Sequence, residues 1–180
     1  MTGFIEGKKV FLRKLSMDDA TGNYLLWLND PDVLRYRGPK AYPSNFDDLR
    51  DFIKNAQTSK DLFLAICLKS SGKHIGGISL TSVNFIHRTA ELSIMIGEKS
   101  EWGKGYARDS IEALTRHAFT NMNLNKLWAE SPSPAFNAAV RKLGWVHEGT
   151  KRKSFLLDGE YVDVECYGLL KSDFISSKDR

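Results

Sequence analysis

A change of hydrophobic period near the middle of the chain constrains its fold most strongly. Residues 90–96 alternate apolar and polar side chains with the period of two that a β-strand requires. A short polar loop then carries two glycines, Gly103 and Gly105. From Ala107 to Met122, apolar residues recur every three or four positions, which places them on one helix face. A strand, a glycine loop and a long helix in succession predict a domain that contains both sheet and helices.

The same two periods extend the prediction over the rest of the chain. Apolar runs predict strands, wider spacing predicts helices, and Ser16 is suited to cap the first helix. The predicted order is a strand at 9–15, helices at 16–28 and 47–56, strands at 62–68, 74–83 and 90–96, a helix from 103, a strand at 126–130, a helix at 136–143 that Gly144 closes, and strands at 145–155 and 161–170. This order predicts a single α/β (α+β) domain over residues 1–180, with helices packed on a mixed sheet.

Composition and charge argue against several classes of partner. A formal net charge of +4 and a pI of about 9.0 are too weak to indicate nucleic acid. No stretch approaches the ~18 apolar residues of a membrane span, and residues 1–7 lack the apolar core of a secretion signal. Cys67 and Cys166 lie in apolar runs without metal-ligand spacing, and both are expected to be buried. We therefore expect a cytoplasmic protein with no metal and with neither a nucleic-acid nor a membrane partner.

The glycine loop has the chemistry of an anion site. The first N–H groups of a helix have no partner within the helix, and they lie at the positive end of its dipole. Such an end binds phosphate or pyrophosphate, and Lys104 and Arg108 add positive charge here. The spacing matches neither the Rossmann fingerprint nor a Walker loop. Taken alone, the motif is equally typical of a tight loop without a ligand.

Residues 101–107, with the sequence EWGKGYA, resemble the pyrophosphate-binding loop of the GNAT acetyltransferases. The form of the loop is most similar to that of the ribosomal-protein-alanine acetyltransferase branch. Further segments resemble this branch in the same order, namely residues 11–15, 90–92, 143–149 and 158–163. Residues 84–91 are similar to spermidine N-acetyltransferase, and residues 27–31 to acetyltransferases that act on amino sugars. The resemblance covers about residues 9–174, nearly the whole chain.

The resemblance implies a fold and a cofactor site. It implies the GNAT fold, with a central mixed, mostly antiparallel sheet that is flanked by helices and splays at the acetyl-CoA cleft. Pantetheine is expected on the backbone of Ile94, Met95 and Ile96. The pyrophosphate loop is expected to comprise Glu101, Trp102, Gly103, Lys104, Gly105, Tyr106 and Ala107.

Two carboxylates are candidates for the general base that removes the proton of the acceptor amine. Glu91 begins the strand on one side of the expected cleft, and Glu130 ends the strand on the other. A structural role in an ion pair is the alternative for each. In several relatives, a tyrosine four positions before the glycine that matches Gly144 is the general acid that protonates the leaving thiolate. This chain has Val140 at that position. The preceding loop, residues 131–136, also departs from the Asn-x-x-Ser of related enzymes.

Two functions follow from the resemblance. The first is an N-acetyltransferase that moves an acetyl group from acetyl-CoA to a primary amine. The acceptor is a small molecule or a peptide: a protein N-terminus, an amino sugar or a polyamine. The basic pI mildly disfavours a polycation. The alternative is a catalytically weak acyl-CoA-binding regulatory module, which Val140 and the altered loop favour. The sequence leaves a homodimer open.

Overall fold

The centre of the sheet is built by a strand whose unbroken apolar run buries both of its faces. This strand is β3, which spans Leu62–Leu68. Its residues Leu64 and Ile66 belong to one hydrophobic core. Ala65 and Cys67, between and beside them, belong to a second core on the opposite face. Helices cover both faces, which is why β3 lacks the polar alternation of a half-exposed strand.

The computed structural model describes residues 3–37 and 42–176. Its strands are β1 (Ile5–Glu6), β2 (Val10–Lys14), β3 (Leu62–Leu68), β4 (His74–Asn84), β5 (Thr89–Ile96), β6 (Lys126–Ser131), β7 (Val146–Leu157) and β8 (Glu160–Leu170). They form one sheet in the order β1-β2-β3-β4-β5-β6-β8-β7. Only β5 and β6 pair in parallel, and all other neighbours in the described sheet are antiparallel. This confirms the predicted mixed, mostly antiparallel sheet with flanking helices.

The helices lie on both sides of the sheet. They are α1 (Asp18–Thr21), α2 (Tyr24–Trp27), α3 (Pro31–Leu34), α4 (Phe46–Thr58), α5 (Tyr106–Thr120), α6 (Pro134–Lys142) and α7 (Lys171–Ser176), with a 3-10 turn at Lys99–Glu101. Ile111, Leu114 and Ala118 of α5 are fully buried on one side of the sheet, as their spacing predicts. The first four helices pack against the other core.

The single parallel pair opens the sheet. Strands β5 and β6 pair at three positions, from Thr89 opposite Lys126 to Glu91 opposite Trp128. Beyond Glu91 the two strands separate, so the edge of β5 at residues 92–96 has no strand partner on this side among the described residues. The splay places a cleft between the carboxyl ends of β5 and β6.

The helix predicted at residues 16–28 is wrong, because the segment breaks into α1 and α2 at Gly22. Ser16 does not cap it, since Met17 occupies the cap position without a capping side chain. The chain leaves helical geometry at Gly22, whose φ of −90° and ψ of −158° are extended. Asp19, in the first turn of α1, is 5% exposed and accepts two hydrogen bonds from Arg13, at 2.8 and 2.6 Å. Its carboxylate also accepts from the Ser16 N–H at 2.8 Å. These hydrogen bonds satisfy a buried carboxylate and fix the start of α1.

Other differences are small and local. The break predicted near residue 30 is itself a short helix, because Asp30 caps α3 and Pro31 occupies its first position. Strand β1, the 3-10 turn and α7 were not predicted. The turn at Asp158 and Gly159 has positive φ at both residues, as its hairpin sequence predicts. Cys67 is buried, but Cys166 is only half-buried.

Candidate active site

The cleft between β5 and β6 is a cavity of ≈ 870 Å³. It gathers most of the site residues that the sequence predicts. Of these, the lining contains Glu91, Ile94, Met95, Ile96, Trp102, Ala107 and Glu130. The remaining predicted residues are not part of the lining: Glu101 ends the 3-10 turn, Tyr106 begins α5, and the loop between them contains Gly103, Lys104 and Gly105. A cavity of this volume is within the range of pockets that bind drug-sized ligands.

The loop before α5 depends on its two glycines. Gly103 and Gly105 have φ of 76° and 84°, a left-handed conformation that favours glycine. No atom of the described residues lies within 4 Å of a Cβ built on either glycine, so the space above the loop is open to a ligand. No side chain caps α5, and the N–H groups of Tyr106 and Ala107 have no acceptor among the described residues. Unpartnered N–H groups facing open space at the start of a 15-residue helix fit an anionic ligand.

The loop is anchored by a buried carboxylate on the first turn of α5. Asp109 is 9% exposed and accepts from the backbone N–H groups of Lys8, Lys9 and Val10, at 2.8, 2.6 and 3.0 Å. The Lys9 ammonium in turn donates to the Lys104 carbonyl at 3.2 Å. These bonds hold the start of α5 against the turn before β2.

The open edge of β5 presents two carbonyls to the cleft. The Ile94 carbonyl accepts a hydrogen bond from Arg37 at 3.2 Å, and the Ile96 carbonyl accepts one from the Trp102 indole at 2.8 Å. The Met95 carbonyl instead faces β4, where it lies 2.1 Å from a Cβ built on Gly76. A carbonyl oxygen has two lone pairs, so those of Ile94 and Ile96 retain capacity for a further donor.

The two candidate bases differ in their surroundings. Glu130 is paired with Lys151, with 2.5 Å between Oε2 and Nζ. Glu91 has no ion pair among the described residues, and its one hydrogen bond is a long contact of 3.5 Å from Thr81. Burial raises the pKa of Glu91 and the charge of Glu130 raises it further, against smaller opposing effects of Thr81 and Lys151. A carboxylate with a raised pKa and no fixed cation is suited to accept a proton.

Further charged residues reach the cleft from the segment around α3, where the sequence leaves Asp30 and Asp32 open as contacts of the acceptor amine or as part of a helix-terminating loop. Asp32 and Arg35, both at α3, line the cavity. Asp32 and its neighbour Asp30 pair with Lys99, at 2.9 and 2.8 Å. Arg35 forms an ion pair with Asp158 at the β7–β8 turn. These pairs join the α3 region to both the β5–α5 loop and the hairpin.

Helix α6 turns two alanines and a phenylalanine, Phe136, toward the cleft. Ala135 and Ala139 line the cavity, whereas Val140 is fully buried in the core. Tyr36, at the end of α3, is the one tyrosine among the described residues that line the cavity. Sequence reasoning missed Tyr36 because nothing local connects residue 36 with a cleft built around residues 91–107.

Within residues 3–37 and 42–176, no group of three or more His, Cys, Asp or Glu side chains could hold a metal ion. No helix in the same residues is long and apolar enough to cross a membrane.

Comparison with known proteins identifies relatives over most of the chain. A spermidine N(1)-acetyltransferase of Vibrio cholerae is 28% identical over 156 residues, covering 84% of this chain and 87% of the relative. The crystal structure of spermidine N-acetyltransferase from Vibrio cholerae in complex with CoA and spermine matches with a TM-score of 0.84 at 26% identity. This match covers 93% of this chain and 98% of that one. A putative ribosomal N-acetyltransferase of Bacillus subtilis, YdaF, is 28% identical over 109 residues, 59% of each chain. The ribosomal-protein branch is thus only weakly supported.

The family itself is clear. The model of the acetyltransferase (GNAT) domain matches residues 9–144, well over half of the chain. The matched segment contains the splayed strands, the glycine loop and α5. The chain belongs to the GNAT family and is an N-acetyltransferase.

Proposed function

We propose that this chain transfers the acetyl group of acetyl-CoA to a primary amine within a ternary complex. The observation that carries the proposal is the splayed cleft, which joins an anion-binding helix start to a free carboxylate. The loop at Gly103 and Gly105 offers N–H groups to a pyrophosphate, and the β5 edge leads from the loop to Glu91. The proposed binding order along the cleft is pyrophosphate at residues 102–107, pantetheine along Ile94 and Ile96, and the thioester near Glu91.

The residues present support direct transfer. Acetyl-CoA supplies an activated thioester. Glu91, directly or through water, takes the proton of the acceptor ammonium, because only the neutral amine attacks the carbonyl carbon. A backbone N–H of the β5 edge offers a donor to the charge that develops on the thioester oxygen. The new C–N bond replaces the C–S bond, and the released thiolate takes a proton from water or from Tyr36.

A binding module without turnover is the competing function, and Val140 is its main support. Because Val140 lies in the core and α6 lines the cleft with Ala135, Phe136 and Ala139, this helix offers no phenol to the thiolate. A thiol has a pKa of ~8.5, so its thiolate is a good leaving group near neutral pH without a strong acid. We therefore favour catalysis over binding alone.

The proposal is tested by measuring free thiol with the purified chain, acetyl-CoA and a panel of amines. The panel includes an N-terminal peptide, an amino sugar and spermidine. We expect amine-dependent thiol release, with mass spectrometry confirming the acetylated product. Thiol release at the rate without enzyme for every amine, together with intact CoA binding, would instead establish the binding module.

A further inference from the structure

Ion pairs compensate most of the charge that faces the cleft. The ionised side chains of the lining are Asp32, Arg35, Arg37, Glu91, Glu130 and Lys151. Asp32 pairs with Lys99, Arg35 with Asp158, and Glu130 with Lys151. One cation, Arg37, and one carboxylate, Glu91, remain without an ion-pair partner in residues 3–37 and 42–176.

Two hydrogen bonds fix the position of the Arg37 guanidinium, and its other N–H donors lack an acceptor among the described residues. Its Nη1 donates to the Ser93 hydroxyl at 3.3 Å and to the Ile94 carbonyl at 3.2 Å. Its Nε and Nη2 have no acceptor within the described part of the chain. These two atoms form the guanidinium edge that binds a carboxylate or phosphate through two parallel hydrogen bonds. Arg37 is solvent-exposed, so this edge is open to a ligand that enters the cleft.

We propose that the amine acceptor carries an anionic group, a carboxylate or phosphate, which Arg37 binds while Glu91 receives the amine. This inference rests on the proposed function and gives it a substrate class. Glu91 and Ser93 are two residues apart on β5, so their side chains share a face about 7 Å apart. The acceptor then has its amine and its anion separated by a short linker.

The position of Arg37 assigns the anion to the acceptor rather than to CoA. Arg37 contacts Ile94, two residues before the end of β5, where the proposed path carries the pantetheine arm. Pantetheine has no charge, and the phosphates of CoA belong at the loop around Gly103 and Gly105. A polyamine has no anion for Arg37 and would place a second ammonium near it. The site therefore differs from what the names of the spermidine-acetylating relatives suggest.

The test compares aminopropyl phosphate with aminopropanol, two acceptors that share an amine and differ in the anion. We expect kcat/KM to favour the phosphate by about tenfold to hundredfold, as a charged hydrogen-bonded contact implies. β-Alanine is added as an acceptor that carries a carboxylate, and spermidine as a polycationic acceptor without an anion. In Arg37→Gln the preference for phosphate over alcohol should collapse toward unity, and Arg37→Lys should recover part of it.

Arg50→Gln is the matched control, because Arg50 lies on α4 and pairs with Asp47 and Asp51 away from the cleft. The preference of Arg50→Gln for the phosphate over the alcohol should equal that of the unaltered chain. Equal kcat/KM for the phosphate and the alcohol, or a preference that survives Arg37→Gln, would overturn the inference. Efficient turnover of spermidine alone would overturn it while leaving acetyl transfer intact. No turnover of any amine would contradict the proposed function as well.

Discussion

The two ends of the cleft are built in different ways. The cofactor end is formed by consecutive residues, 101–109, where the loop, the helix start and its anchor Asp109 follow one another. The acceptor end is assembled from distant segments: Arg37 and Ser93 are 56 residues apart, and Arg35 and Asp158 are 123 apart. A contiguous site leaves a motif in the sequence, whereas an assembled site leaves none. The family is therefore evident from the sequence, but the acceptor is not.

The largest expected effect concerns proton removal at the acceptor end. Glu91→Gln should lower kcat by about 10²–10⁴-fold, the usual contribution of a general base. CoA affinity, measured by calorimetry, should stay nearly constant, and the loss should shrink at high pH, where more of the amine is already neutral. Glu130→Gln should cost less, because Glu130 is held by Lys151. Near-native turnover of both variants on a good acceptor would mean that neither carboxylate is the base.

The cofactor end is tested by Gly105→Glu, for which we expect a loss of CoA affinity of at least about a hundredfold. A side chain with negative charge would occupy the space above the loop and repel the pyrophosphate. Gly144→Glu is the matched control, because Gly144 has φ of 83° against 84° for Gly105 and equally open surroundings. Both variants should lose about 1–2 kcal/mol of folding stability from backbone strain. Equal CoA affinity in the two folded variants would remove the loop from the cofactor site.

A smaller effect tests whether Asp109 stabilises the start of α5. Asp109→Ala leaves three backbone N–H groups without their charged acceptor and should lower the free energy of unfolding by about 2–4 kcal/mol. Glu112→Gln, on the same helix, disrupts only a surface pair with Arg116 and should cost at most about 0.5 kcal/mol. Denaturant unfolding of both variants measures the difference. Equal stability of the two would show that the anchor contributes nothing.

The smallest effect is a displacement of the pH profile. The pKa of Glu91 is raised, and the base must be ionised to accept a proton. As the pH is lowered, kcat/KM should therefore begin to fall at a pH above the ordinary pKa range of a glutamate. Glu130→Gln removes a neighbouring negative charge, so the acid limb should move to lower pH. Lys151→Gln removes a positive charge, so the limb should move to higher pH. Movement of both variants in the same direction would exclude Glu91 as the titrating group.

The sequence predicts those parts of the structure that short-range patterns determine. The continuous run of β3, the apolar face of α5 and the hairpin turn at Asp158 all follow from spacing or turn chemistry. The segment at residues 16–28 does not, because the backbone is extended at Gly22 and divides the predicted helix into two short ones. Arg37 and Tyr36 could not be predicted as site residues, since the fold alone brings α3 to the edge of β5.

The most direct test of the account is a crystal structure of this chain with CoA. We expect pyrophosphate oxygens within about 2.7–3.2 Å of backbone N–H groups of residues 103–107. The pantetheine arm should lie along the carbonyls of Ile94 and Ile96, with the thiol pointing toward Glu91. A pyrophosphate held instead by the basic side chains of residues 151–153, with the glycine loop open to solvent, would contradict it.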